Sequence, residues 1–165
     1  MSFILLIILL GVGLVHGLKV RKRTNTALAE LLLVYVLVGY CGLYMFSAGI
    51  LDLVASFRQE TIFPFPAGGP VQQFFDFAFL GMATIALLSI WFRGPSLVAP
   101  TLGWSIFWFG ATYIHLTELY TTGGFTFGAF WGIFSSHTIV ALVMLFLLFV
   151  VYHSRSSEVC KKHLP

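Results

Sequence analysis

Charged residues are scarce in this chain: they make up 9% of its 165 residues, whereas 59% are hydrophobic. Soluble domains carry about 25% charged residues, so a water-soluble fold of this length has too little polar surface to cover its apolar side chains. The excess apolar surface must face lipid. The length suits one domain. The formal charge of +3 comes from basic residues in short loops and at chain ends, where membrane topology explains them without nucleic acid.

Cysteine is also rare, with Cys41 in an apolar run and Cys160 in a polar tail. A disulfide needs Cα atoms within about 7 Å of each other. Because these two residues are expected at different depths, no disulfide between them is expected. No C-x-x-C or C-x-x-C-H motif occurs, which argues against a zinc ribbon and covalently attached haem. No H-E-x-x-H or conventional nucleophile motif supports hydrolytic chemistry.

Five apolar runs are long enough to cross a bilayer, which needs about 20 residues. They predict an all-α membrane bundle of about five transmembrane helices in a single domain of residues 1–165. The approximate bounds are Met1–Leu18, Ala27–Ser56, Val71–Phe92, Thr101–Thr121 and Ala129–Tyr152. Prolines and glycines in the loop that ends at Pro70 separate the second run from the third, because proline cannot continue a helix.

The first run has two interpretations, an uncleaved anchor or a cleaved signal peptide. Val15 and Gly17 would suit a cleavage site. A signal peptide, however, carries its positive charge before the apolar segment. Here the basic residues follow that segment, between Lys19 and Arg23. This order favours an uncleaved anchor whose N-terminus lies outside the cell.

The basic residues also predict the orientation, because they concentrate in cytoplasmic loops. With an external N-terminus and five crossings, the cytoplasmic loops and tail contain every Lys and Arg except Arg58. An even number of crossings would place either the Lys19–Arg23 cluster or the tail outside. The sequence therefore predicts a multi-pass protein of the inner (cytoplasmic) membrane with its C-terminus in the cytoplasm.

Glycines at helical spacing indicate where helices contact each other. Gly13 and Gly17 form a GxxxG pair, and Gly124, Gly128 and Gly132 repeat the same four-residue step. Small residues let helix backbones approach closely in lipid, where no hydrophobic force drives helices together. We expect both series to pack within the chain, with a dimer seam as the alternative.

Ionisable side chains inside a membrane cost at least about 2.5 kcal/mol each and therefore need a reason. The predicted topology gathers several of them, from four helices, in the outer half of the bundle. His115 and Glu118 share a helix face, as do Gln72 and Asp76, because residues three or four apart are neighbours on a helix. The candidate polar pocket consists of Asp52, Gln72, Asp76, His115, Glu118 and His137.

Three interpretations of this pocket stay open. Polar residues commonly join membrane helices, so the first is a hydrogen-bond network that orients the bundle. The second is a proton relay or small-ligand pocket, which intramembrane ionisable residues often mark. The third is a metal or haem site with His115 and His137 as ligands, since histidine is a common axial ligand of haem iron.

Three stretches of the chain resemble an uncharacterised family of small bacterial and archaeal integral membrane proteins, a domain of unknown function. They are AELLLVYVLVGYCGLYMF, GGPVQQFFDFAFLG and GATYIHL, within residues 27–119. Pro70, Gln72, Gly110 and His115 are the positions that match. The resemblance implies a membrane helical bundle and no particular activity.

The chain also departs from that family's pattern. The acidic residue is displaced to Asp76, with Phe74 at its usual position, and Phe79 stands where an Asn is expected. A looser likeness to DoxX-type four-helix membrane proteins, some of them tied to quinone chemistry, is an analogy of fold alone.

The sequence predicts a non-enzymatic protein, an accessory or stabilising component of a larger membrane assembly. It lacks a soluble domain, a recognisable cofactor motif and a wide charged pathway. Its expected partners are the lipid bilayer and other subunits of a membrane complex. The first alternative is a cofactor-binding or redox protein that holds haem, a metal or quinone. The second is a small transporter or proton pathway, although the cytoplasmic half offers only Glu30 as an ionisable group.

Overall fold

The computed structural model describes residues 2–20, 24–57, 70–124 and 126–162. Side chains are described throughout these ranges except at residues 2, 52, 55–57, 70–72 and 154–162. These ranges form five long helices, which we number α1 to α5, and contain no strand. The predicted all-α class is therefore confirmed.

The first, third and fourth helices are α-helical from end to end. α1 is Ser2–Lys19, α3 is Pro70–Leu88 and α4 is Val98–Thr121. A short 3₁₀ turn, Gly94–Leu97, leads into α4. Gly94 has a φ of 71°, a left-handed conformation that favours glycine.

The second and fifth helices each contain a π-wound segment, in which hydrogen bonds run from residue i to i+5. α2 consists of Asn25–Tyr35, π-wound Val36–Tyr44 and Met45–Phe57. α5 consists of Phe127–Ile133, π-wound Phe134–Thr138 and Ile139–Lys162. Threonine hydroxyls cap both helices at their N-terminal ends and accept hydrogen bonds from backbone amides, as threonine commonly does.

Three helical segments of the described chain are long and apolar enough to cross a membrane: Asn25–Leu51, Gly94–Thr121 and Phe127–His153. α1 and α3 contain shorter apolar stretches. Large apolar side chains such as Ile106 and Phe127 are exposed on the helix surfaces. Contiguous apolar surface of this kind is rare on soluble monomers, so the chain is a membrane protein.

Helix α2 is the centre of the bundle and contacts each of the other four helices. Its side chains Leu33, Leu37 and Tyr40 are almost fully buried. α3 runs antiparallel to it, because Gly42 lies beside Leu87 and Gly49 lies beside Leu80. The carboxylate Oε1 of Glu30 accepts a hydrogen bond of 3.0 Å from the backbone N–H of Gly94, which ties the start of α2 to the α3–α4 connection.

The two glycine series behave differently. A Cβ added at Gly13 would lie 3.2 Å from Tyr35 Cδ2, and one added at Gly17 would lie 2.6 Å from Leu28 Cδ1. This pair therefore packs α1 against α2 within the chain, as predicted.

The second series does not follow that expectation. A Cβ added at Gly128 or Gly132 would meet nothing within 4 Å, and one at Gly124 would meet only Thr122 and Leu119, close to it in sequence. Within the described residues these glycines face no other helix, so packing inside the chain does not explain their spacing.

Candidate functional site

The two π-wound segments meet in the bundle. The Tyr40 hydroxyl donates a hydrogen bond of 2.8 Å to the backbone carbonyl of Ser136. A backbone group released from the α-helical pattern needs another partner inside a membrane, because no water is present there. Tyr40 supplies that partner across the helix interface. Mid-helix π winding is rare and frequently lies at functional sites, which makes this region the candidate site.

His137 stands between the rings of two α4 residues. Its ring centroid lies 5.1 Å from that of Trp108 and 5.4 Å from that of His115. His137 Nδ1 is 3.0 Å from the carbonyl oxygen of Ile133 and 2.8 Å from Ser136 Oγ. A carbonyl can only accept, so Nδ1 carries the proton in this arrangement and Nε2 is the acceptor of the ring.

The cluster becomes progressively more buried toward Trp108. Trp108 is buried and contacts the ring of Tyr40 at a centroid distance of 5.6 Å. Its indole Nε1 is buried and interacts with the buried thiol of Cys41 on α2. A thiol is a weak acceptor, so this interaction satisfies the indole donor only in part.

The other side of the cluster is open. The side chains of His115 and Glu118 are 47% and 65% exposed, and His115 Nδ1 lies 3.9 Å from Glu118 Oε2. One turn further from the α4 C-terminus, the hydroxyls of Thr112 and Thr138 lie 3.0 Å apart and join α4 to α5. The two histidines thus occupy the α4–α5 interface, and Glu118 lies at its exposed margin.

The predicted pocket residues divide into separate groups in the structure. His115, Glu118 and His137 are together at the α4–α5 interface. Asp76 lies on α3, is 3% exposed, and its Oδ2 has no hydrogen-bond partner among the described residues. Because Gly49 lies beside Leu80, Asp76 falls one turn further along the α2–α3 contact.

Among the described residues, no hydrogen bond or ion pair connects Asp76 to the two histidines or to Glu118. The side chains of Asp52 and Gln72 lie outside the described part of the structure, so their place in the pocket stays a prediction.

Metal and haem binding make specific geometric demands on this cluster. Within the described residues, no group of three or more His, Cys, Asp or Glu side chains is placed to hold a metal ion. Two imidazoles that ligate one haem lie on opposite faces of the porphyrin. The hydrogen bond between Thr112 and Thr138 holds α4 and α5 in direct contact. A haem between His115 and His137 would therefore require these helices to separate.

Sequence reasoning missed two members of the cluster, Tyr40 and Trp108. Both lie in strongly apolar stretches, where an aromatic residue is most simply interpreted as packing. The π winding of α2 distinguishes Tyr40, because it brings the Tyr40 hydroxyl to Ser136, whereas Trp108 lies on the regular helix α4. The residue types alone do not indicate where a helix changes from i→i+4 to i→i+5 hydrogen bonds.

These features define an all-α membrane protein with a polar and aromatic cluster between two locally π-wound helices. A family model matches residues 1–157, and the chain belongs to that family, a family of unknown function (DUF6790). The match confirms the resemblance to an uncharacterised family. No curated protein and no solved structure matches the chain.

Proposed function

We propose that the chain crosses the inner membrane five times, with its N-terminus outside and its C-terminus in the cytoplasm. The antiparallel packing of α1 and α3 on α2 supports this topology. α1 has 18 residues and α3 has 19. At 1.5 Å per residue each is about 27–29 Å long, close to the roughly 30 Å of the hydrocarbon core. Lys19 and Arg93 then face the cytoplasm, as the positive-inside rule requires.

Reporter fusions test this topology directly. A reporter fused after Pro165 is expected to be active only in its cytoplasmic form, and one inserted at Gly68 only in its external form. Matched fusions of a cytoplasmic and an external reporter at each site control for expression. The same location at both sites would contradict the proposed number of crossings, and exchanged locations would contradict the orientation.

We propose that the protein is an accessory or stabilising component of a larger membrane assembly. The observation that carries this proposal is the exposure of His115 and Glu118 at the side of the bundle. Ionisable groups in membrane helices almost always face the protein interior or a water-filled cavity and pair with other groups. The described residues of this chain leave these two side chains exposed. A neighbouring subunit that packs against them would shield them from lipid.

The glycines at the start of α5 support the same function. Gly128 and Gly132 are exposed, and a Cβ at either would meet nothing within 4 Å. Small residues at this spacing allow a second helix to approach the backbone closely. We call His115, Glu118, Gly128 and Gly132 the docking residues. The two glycines let a partner helix approach the backbone closely, and His115 and Glu118 offer polar groups that can form hydrogen bonds with that partner.

Affinity purification in mild detergent tests the docking residues. A stoichiometric partner subunit is expected with the unmodified chain, and Glu118→Ala combined with Gly132→Leu should weaken its binding about tenfold or more, as for central interface residues. Gly103→Leu is the matched control, since a Cβ there also meets nothing within 4 Å but lies outside the docking residues. Retention of the partner by the double variant, or a chain purified without any partner, would contradict the proposal.

A second candidate function, cofactor or redox chemistry, is favoured by the contiguous rings of His115, His137, Trp108 and Tyr40. Their successive centroid distances lie between 5.1 and 5.6 Å. The same purification separates the two candidates. A coloured monomer whose visible absorption disappears in His137→Ala would favour the cofactor, whereas a colourless complex would favour the accessory role.

A further inference from the structure

A groove lies at the end of the bundle away from the docking residues, between α1, α2 and the segment that follows α3. Its volume is about 320 Å³, roughly ten times the 30 Å³ that one water molecule occupies in the liquid. Its polar side chains are His16, Tyr35 and Arg93, which line it together with Leu31 and Val34. Apolar side chains, including Leu9 and Val38, form the rest.

The polar end of the groove is organised and cationic. His16 Nδ1 lies 2.8 Å from the Tyr35 hydroxyl, and the two rings meet edge to face with centroids 5.9 Å apart. This bond fixes both side chains at the mouth of the groove. Arg93 is exposed beside them and brings a guanidinium with five N–H donors. None of the described residues that line the groove is acidic. The carboxylate of Glu30 lies close by, but it accepts a hydrogen bond from the backbone N–H of Gly94, the residue after Arg93.

The apolar part extends from the polar end toward the middle of the bundle. Leu9 precedes His16 by seven residues on α1, a rise of about 10 Å along the helix axis. That distance is about a third of the hydrocarbon thickness of a bilayer. Because α1 ends at Lys19, one turn after His16, an α1 that crosses the membrane would place His16 near the lipid headgroups and Leu9 beside the acyl chains.

We propose that this groove binds one anionic phospholipid, with its phosphate at Arg93 and His16 and one acyl chain along Leu9 and Val38. Arginine matches phosphate geometrically, because its planar fork donates two parallel hydrogen bonds. Basic pockets between transmembrane helices on the cytoplasmic side suit anionic headgroups for the same reason. The assignment to the cytoplasmic leaflet rests on the proposed topology; the binding itself does not.

Native mass spectrometry of the full chain, delipidated in detergent, tests the proposal. The probes are phosphatidylglycerol and phosphatidylcholine with identical acyl chains. One phosphatidylglycerol per chain is expected, bound about tenfold more tightly than phosphatidylcholine, because the choline ammonium competes with Arg93 for the phosphate charge. Arg93→Gln is expected to remove about tenfold of the phosphatidylglycerol affinity and to weaken phosphatidylcholine less, because the choline ammonium already offsets the charge of that phosphate. Lys161→Gln is the matched control, because it removes one positive charge from the tail, and its effect should stay below about twofold.

A second variant tests the apolar part of the groove independently of charge. Val38→Trp fills the apolar part of the groove and is expected to weaken phosphatidylglycerol binding. The helix content measured by circular dichroism should stay unchanged. Equal binding of the two lipids would overturn the proposal, as would equal losses in Arg93→Gln and Lys161→Gln, which would indicate diffuse surface charge. Inorganic phosphate that competes at the concentration of the lipid would also overturn it, since the acyl chain would then contribute nothing.

Discussion

Replacement of Trp104 with Ala is expected to lower the free energy of unfolding by about 4 kcal/mol. Trp104 is 1% exposed and lies at the contact between α3 and α4. Its ring contacts Phe79, Phe107 and Trp108 at centroid distances of 5.4 to 5.8 Å. Its Nε1 donates a 3.3 Å hydrogen bond to the carbonyl of Met82. Truncation removes all of these contacts and leaves a cavity that the surrounding rings cannot fill.

Unfolding in mixed detergent micelles, followed by circular dichroism, measures this loss. The matched control is Ile106→Ala on the same helix, because Ile106 is 71% exposed and faces the surroundings of the bundle. Its truncation should change the free energy of unfolding by less than about 1 kcal/mol, since lipid or detergent occupies the vacated space. Similar losses in both variants would mean that the inward face of α4 is not the one described here.

Gly42→Leu is expected to destabilise the α2–α3 contact by about 3 kcal/mol, the upper part of the usual cost of overpacking. A Cβ at Gly42 would lie 2.7 Å from Leu87 Cδ2, 2.9 Å from its Cγ, and 3.3 Å from the Leu37 carbonyl oxygen. The far end of a leucine can rotate away, but the Leu37 carbonyl is part of the π-wound backbone. The new side chain must therefore displace α3 or disturb the π segment.

Gly81→Leu is the matched control for Gly42→Leu. Gly81 lies on α3, the same helix that receives the clash, and a Cβ there would meet nothing within 4 Å. This variant should retain the unfolding midpoint and the tryptophan fluorescence of the unmodified chain, whereas Gly42→Leu should lose both. An unaffected Gly42→Leu variant would show that α2 and α3 do not approach closely at this position.

The helical class could be predicted because a backbone in lipid must satisfy its own hydrogen bonds, and a helix does this within one segment. Apolar run length was therefore enough to identify the helices. Whether the helix within an apolar run is α-wound or π-wound was not predictable. Tyr40, Cys41 and Gly42 are consecutive and all buried, which reflects the central position of α2. An apolar pattern on every face carries no period from which α and π winding could be distinguished.

The candidate site was predictable in depth but not in rotation about the helix axes. Loop positions and basic residues place His115 and His137 at similar depths, and the structure puts their rings 5.4 Å apart. Asp76 has a comparable depth, yet its carboxylate is buried on α3 without a described link to the histidines. Which residues of neighbouring helices meet depends on helix rotation, and the apolar faces alone do not specify it.

The central position of α2 has a consequence for biosynthesis. A ribosome delivers α2, which contains one of the long apolar segments, to the bilayer before α3, whose apolar stretch is shorter. When α3 emerges, the glycine-lined surface of α2 at Gly42 and Gly49 is already in place to receive Leu87 and Leu80. Insertion of α3 and burial of Asp76 can then occur together, so the carboxylate enters the membrane against protein instead of lipid.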